Sequence, residues 1–515
     1  MKLIEVLGDA IERNAAHAPN EVFLSCDGRD QTFAEYAHRV RQFGSAMSRA
    51  GARKQDRVAL LSFNSIECVE TYGLADLCGF ILVLVNARLA APEMRWILQD
   101  SEPVALVFEH GFTDIVDAIR HDIASVTTFV CVGGPVPPWA VDYEVFVAGG
   151  DPAGPPFRAG PRDYDMIMYT SGTTGRPKGV LLGHKQQAVM GLTQGIEYGS
   201  APGTAALVVM PLFHNTARSL YLAQLLQTGR VVIHRRFEAQ RALEEMHEQR
   251  IAIVSVVPTM LLAMMEVPDF ARYDLSAVRS IMSAGASMPI AVLRRAIEAF
   301  GPVFLNGYGQ TEGGGTVLRC RELRLDGTAE ERKRIGSVGQ AMIHTRIRIL
   351  DDEGSDVPDG ALGEICLSSD QVMEGYWNNH PATLAAIRDG WLHTGDIGYR
   401  SEAGYLYLVD RMKDMIISGG ENVYSTEVEN ALAQHPAVHE VAVIGLADAK
   451  WGEAVTAIIS ARPGTTVEDA ALKAFARTLI ADFKCPKRVV LLDELPHNAS
   501  GKIDKKALRE QFAAR

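Results

Sequence analysis

The chain has no apolar run long enough to cross a bilayer. Its longest, Leu77–Val85, falls well short of the roughly 20 residues a spanning helix needs. The N-terminal residues do not read as a secretory leader. The first twelve residues, MKLIEVLGDAIE, carry three acids, and Leu3, Leu7, Ala10 and Ile11 share one helical face, so an amphipathic helix is expected there. The final Ala-Ala-Arg515 is no peroxisomal signal. Cysteines are few: Cys26, Cys68, Cys78, Cys131, Cys320, Cys366 and Cys485, odd in number, with no C-x-x-C pair. That spacing argues against a disulfide scaffold or a structural zinc site, and it favours a reducing compartment. Positive charge is in deficit. A net charge of −12 excludes a broad nucleic-acid surface, so an anionic substrate would be met by local basic groups. A protein without membrane insertion, in the cytoplasm, is expected.

What is present begins with ordinary globular composition, 47% apolar and 22% charged over 515 residues, with roughly three domains allowed by length. Thr32-Phe-Ala-Glu35 is a capping box. Phe33, Tyr36, Val40, Phe43 and Met47 then recur at helical spacing, and Gly51 closes the helix. Strand Val58–Ser62, helix Asn64–Asp76 and strand Phe80–Val85 form a predicted βαβ unit with a parallel sheet. Similar strands are expected at 206–210, 230–234, 253–257 and 280–283. Pro152–Pro161 is read as an exposed connector. From about Gly336 short strands and turns predict a β-rich subdomain, and after Asp410-Arg-Met-Lys413 about 100 residues suffice for a small α/β domain.

The richest local feature is Tyr169-Thr-Ser-Gly-Thr-Thr-Gly-Arg-Pro-Lys-Gly-Val180. Its glycines let successive N–H groups turn inward, and hydroxyls and one ammonium complete a nest for a polyphosphate. The apolar run Asp165–Tyr169 reads as a strand, placing the loop at a strand's carboxyl end, where ligands bind in α/β sheets. Lys178 is followed by Gly179 and not by Ser or Thr, so this is not a Walker A loop.

The loop resembles the signature of the adenylate-forming superfamily, which includes acyl-CoA synthetases, luciferases and peptide-synthetase adenylation domains. Further segments match in order: Met210-Pro-Leu-Phe-His-Asn-Thr-Ala217, Ser283-Ala-Gly-Ala-Ser-Met-Pro289, Asn306-Gly-Tyr-Gly-Gln-Thr-Glu312, Trp391-Leu-His-Thr-Gly-Asp396, Tyr405–Lys413, Ile416-Ile-Ser-Gly-Gly-Glu-Asn422 and Pro496-His-Asn-Ala-Ser-Gly-Lys-Ile-Asp504. The resemblance implies that Thr170, Ser171, Gly172, Thr173, Thr174, Gly175 and Lys178 hold the ATP phosphates. It puts Gly285, Ala286, Ser287, Asn306, Gly307, Tyr308 and Gly309 around the nucleotide, with Tyr308 on adenine. Thr311 would touch the α-phosphate and Glu312 hold magnesium. Asp396 would bind the ribose hydroxyls, supported by Arg411. His214 becomes a gate beside the acyl group and Ser283 a pocket wall. Gly419 and Gly420 would face the pantetheine arm of coenzyme A, Lys413 would be the hinge, and Lys502 the catalytic lysine.

The expected fold is α/β: a large N-terminal domain (1–410) of parallel βα layers plus a β-rich part, a hinge at 411–413, and a mobile C-terminal domain (414–515). The expected activity is ATP-dependent carboxylate–CoA ligation. A small carboxylic acid attacks ATP to give acyl-adenylate and pyrophosphate, and coenzyme A then displaces AMP, with Mg2+ as the metal. Arg218, one helical turn after His214, would aim at the acyl pocket and favour a second polar group on the acid, unless it turns outward to solvent or a surface acid. A rival enzyme loads a separate carrier protein; Asn215 and Thr216 supply no carboxylate for an amino-acid ammonium group. A non-catalytic nucleotide sensor is the rival from another class, opposed by Glu312, Asp396 and Lys502. The identity of the acid and the oligomeric state, a homodimer included, stay open.

Overall fold

Thr32 starts a helix at Phe33–Arg49 by a reciprocal cap. Its hydroxyl accepts the Glu35 N–H while the Glu35 carboxylate accepts the Thr32 N–H. Such a cap is worth about 1 kcal/mol. Its buried face, Phe33, Tyr36, Val40, Phe43 and Met47, is the periodic set of the sequence. The structure is a computed structural model describing residues 6–170, 176–283, 288, 290–498 and 501–513. It divides into two compact units, one of residues 1–346 and 367–392, the other of residues 347–366 and 393–515.

The first unit contains two large sheets. An eight-stranded sheet runs 375–376, 178–183, 164–170, 81–84, 57–61, 105–109, 128–132, 141–142. From 164–170 to 141–142 its neighbours are parallel. A nine-stranded sheet runs 340–341, 313–318, 304–310, 280–283, 253–256, 205–208, 230–233, 22–26, 29–32. Its central strands are parallel too. Buried apolar runs such as Ile81–Leu84 and Ile253–Val256 suit strands covered on both faces. The helix expected over 64–76 runs Ile66–Gly73 and then widens into a π-turn, Leu74–Cys78, ended by left-handed Gly79. The amphipathic N-terminal helix spans Leu7–His17 and buries Leu7, Ala10 and Ile11; Leu3 lies outside the described residues. The connector at 152–161 is exposed at only half its positions: Ala159 is buried and Phe157 packs edge-on against Phe80.

In the second unit, strands Trp391–Arg400 and Leu406–Arg411 pair antiparallel. A further sheet orders 421–423, 416–418, 452–461 and 438–448, with 488–491 parallel to 452–461. One side of it packs Val428, Leu432 and Leu472. The other packs Leu495, Leu508 and Phe512. Contact thus groups part of the β-rich region with the C-terminal residues.

Candidate active site

The predicted phosphate loop joins two strands of one sheet. Tyr164–Thr170 runs parallel to Ile81–Leu84, so the loop does leave a carboxyl end. The chain then returns antiparallel as Lys178–Gly183, with Thr170 opposite Lys178. A P-loop would continue into a helix, and here the connection is a hairpin. Ser171, Gly172, Thr173, Thr174 and Gly175 lie outside the described residues, as do Gly285, Ala286 and Ser287.

Asn306, Gly307, Tyr308 and Gly309 lie on strand Phe304–Gln310, which pairs antiparallel with Gly313–Leu318; Thr311 and Glu312 make the turn. The hairpin is tight, since a Cβ on Gly315 would lie 1.7 Å from the Tyr308 carbonyl oxygen. Thr170 Oγ1 lies 3.5 Å from Glu312 Oε1, so the carboxyl ends of the two sheets meet at this carboxylate. Tyr376 donates its hydroxyl to the same oxygen at 3.0 Å. Burial and the Glu312 charge raise the phenol's pKa, which keeps it a donor. The Lys178 ammonium sits over the Tyr376 ring, 4.7 Å from its centroid. Thr170, Lys178 and Glu312 are therefore brought together, and Tyr376 joins them.

His214 caps the helix Asn215–Gln227 with an extended backbone, φ −108° and ψ 146°. It follows strand Ala205–Val208 of the nine-stranded sheet, whose strands Ser280–Ser283 and Phe304–Gln310 also belong to this site. Buried Asn64 holds the approach: its amide donates to the Met210 and His234 carbonyls and accepts the Leu212 N–H. Ser283 is buried at the end of its strand.

Arg218 corrects the expectation that it turns outward to solvent or a surface acid. Its exposure is 0%. Its guanidinium donates to both Asp76 oxygens at 3.1 and 2.5 Å, to Asp165 at 3.0 Å and to Gln187 at 3.0 Å. Tyr72 and Tyr221 cover its faces. A buried guanidinium must be paired, and one helical turn from His214 the side chain points into this core. Burial, and then Asp76, raise the pKa of Asp165, against the pull of Arg218. His184 lies beside it, Nδ1 3.9 Å from Asp165 Oδ1, and burial lowers its pKa to about 4.

In the second unit Asp396 and Arg411 are register partners on adjacent strands. Asp396 is buried, and its Oδ1 is 3.0 Å from Arg411 Nε. Gly395, at φ +69°, accepts the Met412 N–H. Lys502 sits in a turn closed by Asn498 and left-handed Gly501, with the Asn498 side chain accepting the Lys502 N–H. The residue stands at the surface, yet protein crowds its ammonium. Desolvation lowers its pKa, Arg411 and Lys413 lower it further, and Asp396 opposes them. The neighbouring lysines are occupied otherwise: Lys505 pairs with Glu429 at 2.7 Å and Lys506 with Glu510 at 3.7 Å. Desolvation likewise lowers the Lys413 pKa. Gly419 and Gly420, at φ +65° and +86°, form the two-residue turn between 416–418 and 421–423, which only left-handed backbone closes this tightly.

Sequence reasoning missed Tyr376, Asn64, Trp451 and Asp410. Trp451 accepts the Gly419 N–H on its carbonyl, and the Lys450 and Lys487 ammonium groups lie 4.7 and 5.0 Å from its ring centroid. Asp410 accepts from the backbone N–H of Ser425 and from the Ser425 and Thr426 hydroxyls at the start of helix Ser425–Leu432. The signals were present as Gly-Tyr-Trp, Asn-Ser, Lys-Trp and Asp-Arg, but such pairs acquire meaning only through their partners.

The donors suit a hard cation. Glu312 and Thr170 offer oxygen only, and Mg2+ takes few protein oxygens while keeping water and phosphate.

The AMP-binding enzyme family matches residues 11–377, and the AMP-binding enzyme C-terminal domain matches residues 427–502. The chain is 35% identical to an indoleacetate–CoA ligase of Aromatoleum aromaticum over 509 residues, 98% of each chain. It is 36% identical to a feruloyl-CoA synthase of an Amycolatopsis species, covering 98% of this chain and 99% of the relative. Among solved structures, an o-succinylbenzoate CoA synthetase from Bacillus subtilis in complex with its acyl-adenylate superposes with a TM-score of 0.85 at 28% identity, over 98% of each chain. No helix among the described residues is long and apolar enough to cross a membrane. The motifs, the two sheets that meet at Glu312 and these likenesses converge: the chain belongs to the adenylate-forming, AMP-binding acyl-CoA synthetase family, enzymes that activate a carboxylic acid with ATP and transfer the acyl group to coenzyme A.

Proposed function

We propose that Thr170, Lys178, Thr311 and Glu312 receive the ATP phosphates and that Asp396 and Arg411 hold the ribose. Bound Mg2+, held by Glu312, would neutralise phosphate charge. Tyr376 orients the Glu312 carboxylate by its hydrogen bond. Ser171–Gly175 and Gly285–Ser287 complete the nucleotide site in this reading. His214 and Ser283 border the acyl group, with Asn64 positioning the approach to His214.

Lys502 supplies positive charge while the carboxylate attacks the α-phosphorus. The carboxylate oxygen bonds to phosphorus, the bond to the bridging oxygen breaks, and pyrophosphate leaves. The lysine neutralises charge that is greatest in the transition state, which is where such a group accelerates. The observation that carries this reading is the meeting of Thr170, Lys178, Tyr376 and Glu312 where two strands end, and the direction of the Lys502 pKa shift agrees with it. In the second step the thiolate of coenzyme A attacks the acyl carbon and AMP departs. Gly419 and Gly420 flank the thiol arm, and Trp451 with Lys450 and Lys487 forms an aromatic and cationic surface suited to its nucleotide. A turn of the C-terminal residues about Lys413 separates the two steps. Seven free thiols support a reducing, cytoplasmic setting.

The named substrates of the two curated relatives, indoleacetate and ferulate, make aromatic acids the first panel to test. Aromatic, medium-chain and long-chain acids are scored for CoA-dependent AMP formation. At least one acid should release AMP only when coenzyme A is present. Pyrophosphate release that continues to thioester only on a carrier protein would contradict the CoA ligase reading.

A further inference from the structure

Glu364, Cys366 and His393 each offer one donor atom, and the three lie within 4.8 Å of one another. Glu364 and Cys366 are two apart on strand Gly363–Ser369 and share a face. His393 comes from the neighbouring strand Trp391–Arg400. His393 Nδ1 is 2.7 Å from Glu364 Oε2 and 3.4 Å from Cys366 Sγ. The cluster is tied to the segment bearing Asp396. Glu364 Oε1 accepts the Gly395 N–H at 3.0 Å, and Thr394 Oγ1 donates to the Ile365 carbonyl at 2.7 Å. Cys366 is buried, and the Glu364 and His393 side chains keep slight exposure, 14% and 11%.

We propose that Glu364, Cys366 and His393 bind a thiophilic divalent cation of the zinc class, and that the bound ion suppresses acyl-adenylate formation by fixing the strand that carries Asp396. One sulfur, one imidazole nitrogen and one carboxylate, with water as fourth ligand, is an open tetrahedral set. Zinc–ligand bond lengths put sulfur and nitrogen about 3.5 Å apart in such a set, close to the separation found. Nitrogen and oxygen would move apart by roughly half an ångström. Binding takes the thiolate, and the Cys366 proton leaves to solvent. The His393 ring proton shifts to Nε2, and the Nδ1 lone pair goes to the metal in place of its bond to Glu364. Mg2+ prefers oxygen donors and would not compete. The C-x-x-C test applied to the sequence is blind to this arrangement, because strand pairing assembles it.

The first half of the proposal stands on geometry alone, and the second rests on the role given to Asp396. Full-length protein is titrated with Co2+ and then with Zn2+ as competitor. Wild type should bind one equivalent with a thiolate-to-cobalt charge-transfer band. Cys366→Ser and Cys366→Ala should lose the band and at least tenfold in Zn2+ affinity, roughly the cost of a perturbed metal site. Cys320→Ser should keep the band. Absence of the band in wild type, or its survival in both Cys366 variants, overturns the site. ATP–pyrophosphate exchange without added zinc should be unchanged in Cys366→Ser, and zinc should inhibit wild type at least tenfold more strongly. Equal inhibition with the band lost overturns only the coupling to Asp396.

Discussion

Arg218 belongs to a buried ion network. It follows His214 by four positions, yet its partners are Asp76, Asp165 and Gln187. Removing one member of a buried ion network strands the others, at a cost of about 3–5 kcal/mol. Arg218→Ala should therefore lower unfolding stability in urea by that amount while the ranking of acids among the folded molecules stays the same. A changed ranking with intact stability would return Arg218 to the acyl pocket. His184 gives a pH signature. Its folded pKa, about 4, lies below the ordinary 6.5, so the unfolded chain binds the extra proton and stability falls as pH drops from about 6.5 to about 4. The loss is about 3 kcal/mol. The raised pKa of Asp165 acts in the opposite sense, so the comparison is with His184→Gln, which should lack this part of the decline. Parallel pH profiles for the two proteins would contradict it. Tyr376→Phe removes the donor to Glu312. Half-saturating Mg2+ in pyrophosphate exchange should rise roughly tenfold, as for other groups that orient a metal ligand. An unchanged Mg2+ requirement would detach Tyr376 from the metal.

Elements were legible wherever the pattern was local. The capping box at Thr32, the strand at 280–283 and the runs at 230–234 and 253–257 were expected within a residue or so of where they stand. Boundaries slipped where packing decides, as at 64–76, where the helix gives way to a π-turn carrying Asp76 toward Arg218. Contacts distant in sequence were not legible. Nothing near Glu312 announces Tyr376, and nothing near Asp410 announces that it caps the helix beginning at Ser425. That cap bears on the hinge. If the backbone swings at Lys413, proline there restricts φ and should hold one arrangement. Lys413→Pro should then retain pyrophosphate release and lose thioester formation. Equal loss of both would indicate misfolding, and no loss would put the hinge elsewhere.

For the molecule as a whole, the activity class was readable because eight short segments occur in order over nearly the whole chain, together carrying the residue types that polyphosphate, ribose, acyl and thiol chemistry need. The acid was not readable, because its pocket is assembled from ends of strands far apart in sequence, such as those preceding His214 and including Ser283. The central claim is that Lys502 serves the first half-reaction and not the second. Lys505 and Lys506 have acidic partners of their own, while Lys502 stands with Arg411, Lys413 and Asp396. The most direct test measures both half-reactions in Lys502→Ala. Acyl-adenylate formation should fall by a factor on the order of 10²–10³, the usual cost of losing a charge-stabilising donor. Thioester formation from pre-formed acyl-adenylate and coenzyme A should stay near the wild-type rate. Normal adenylation, or equal impairment of both steps, would contradict the account.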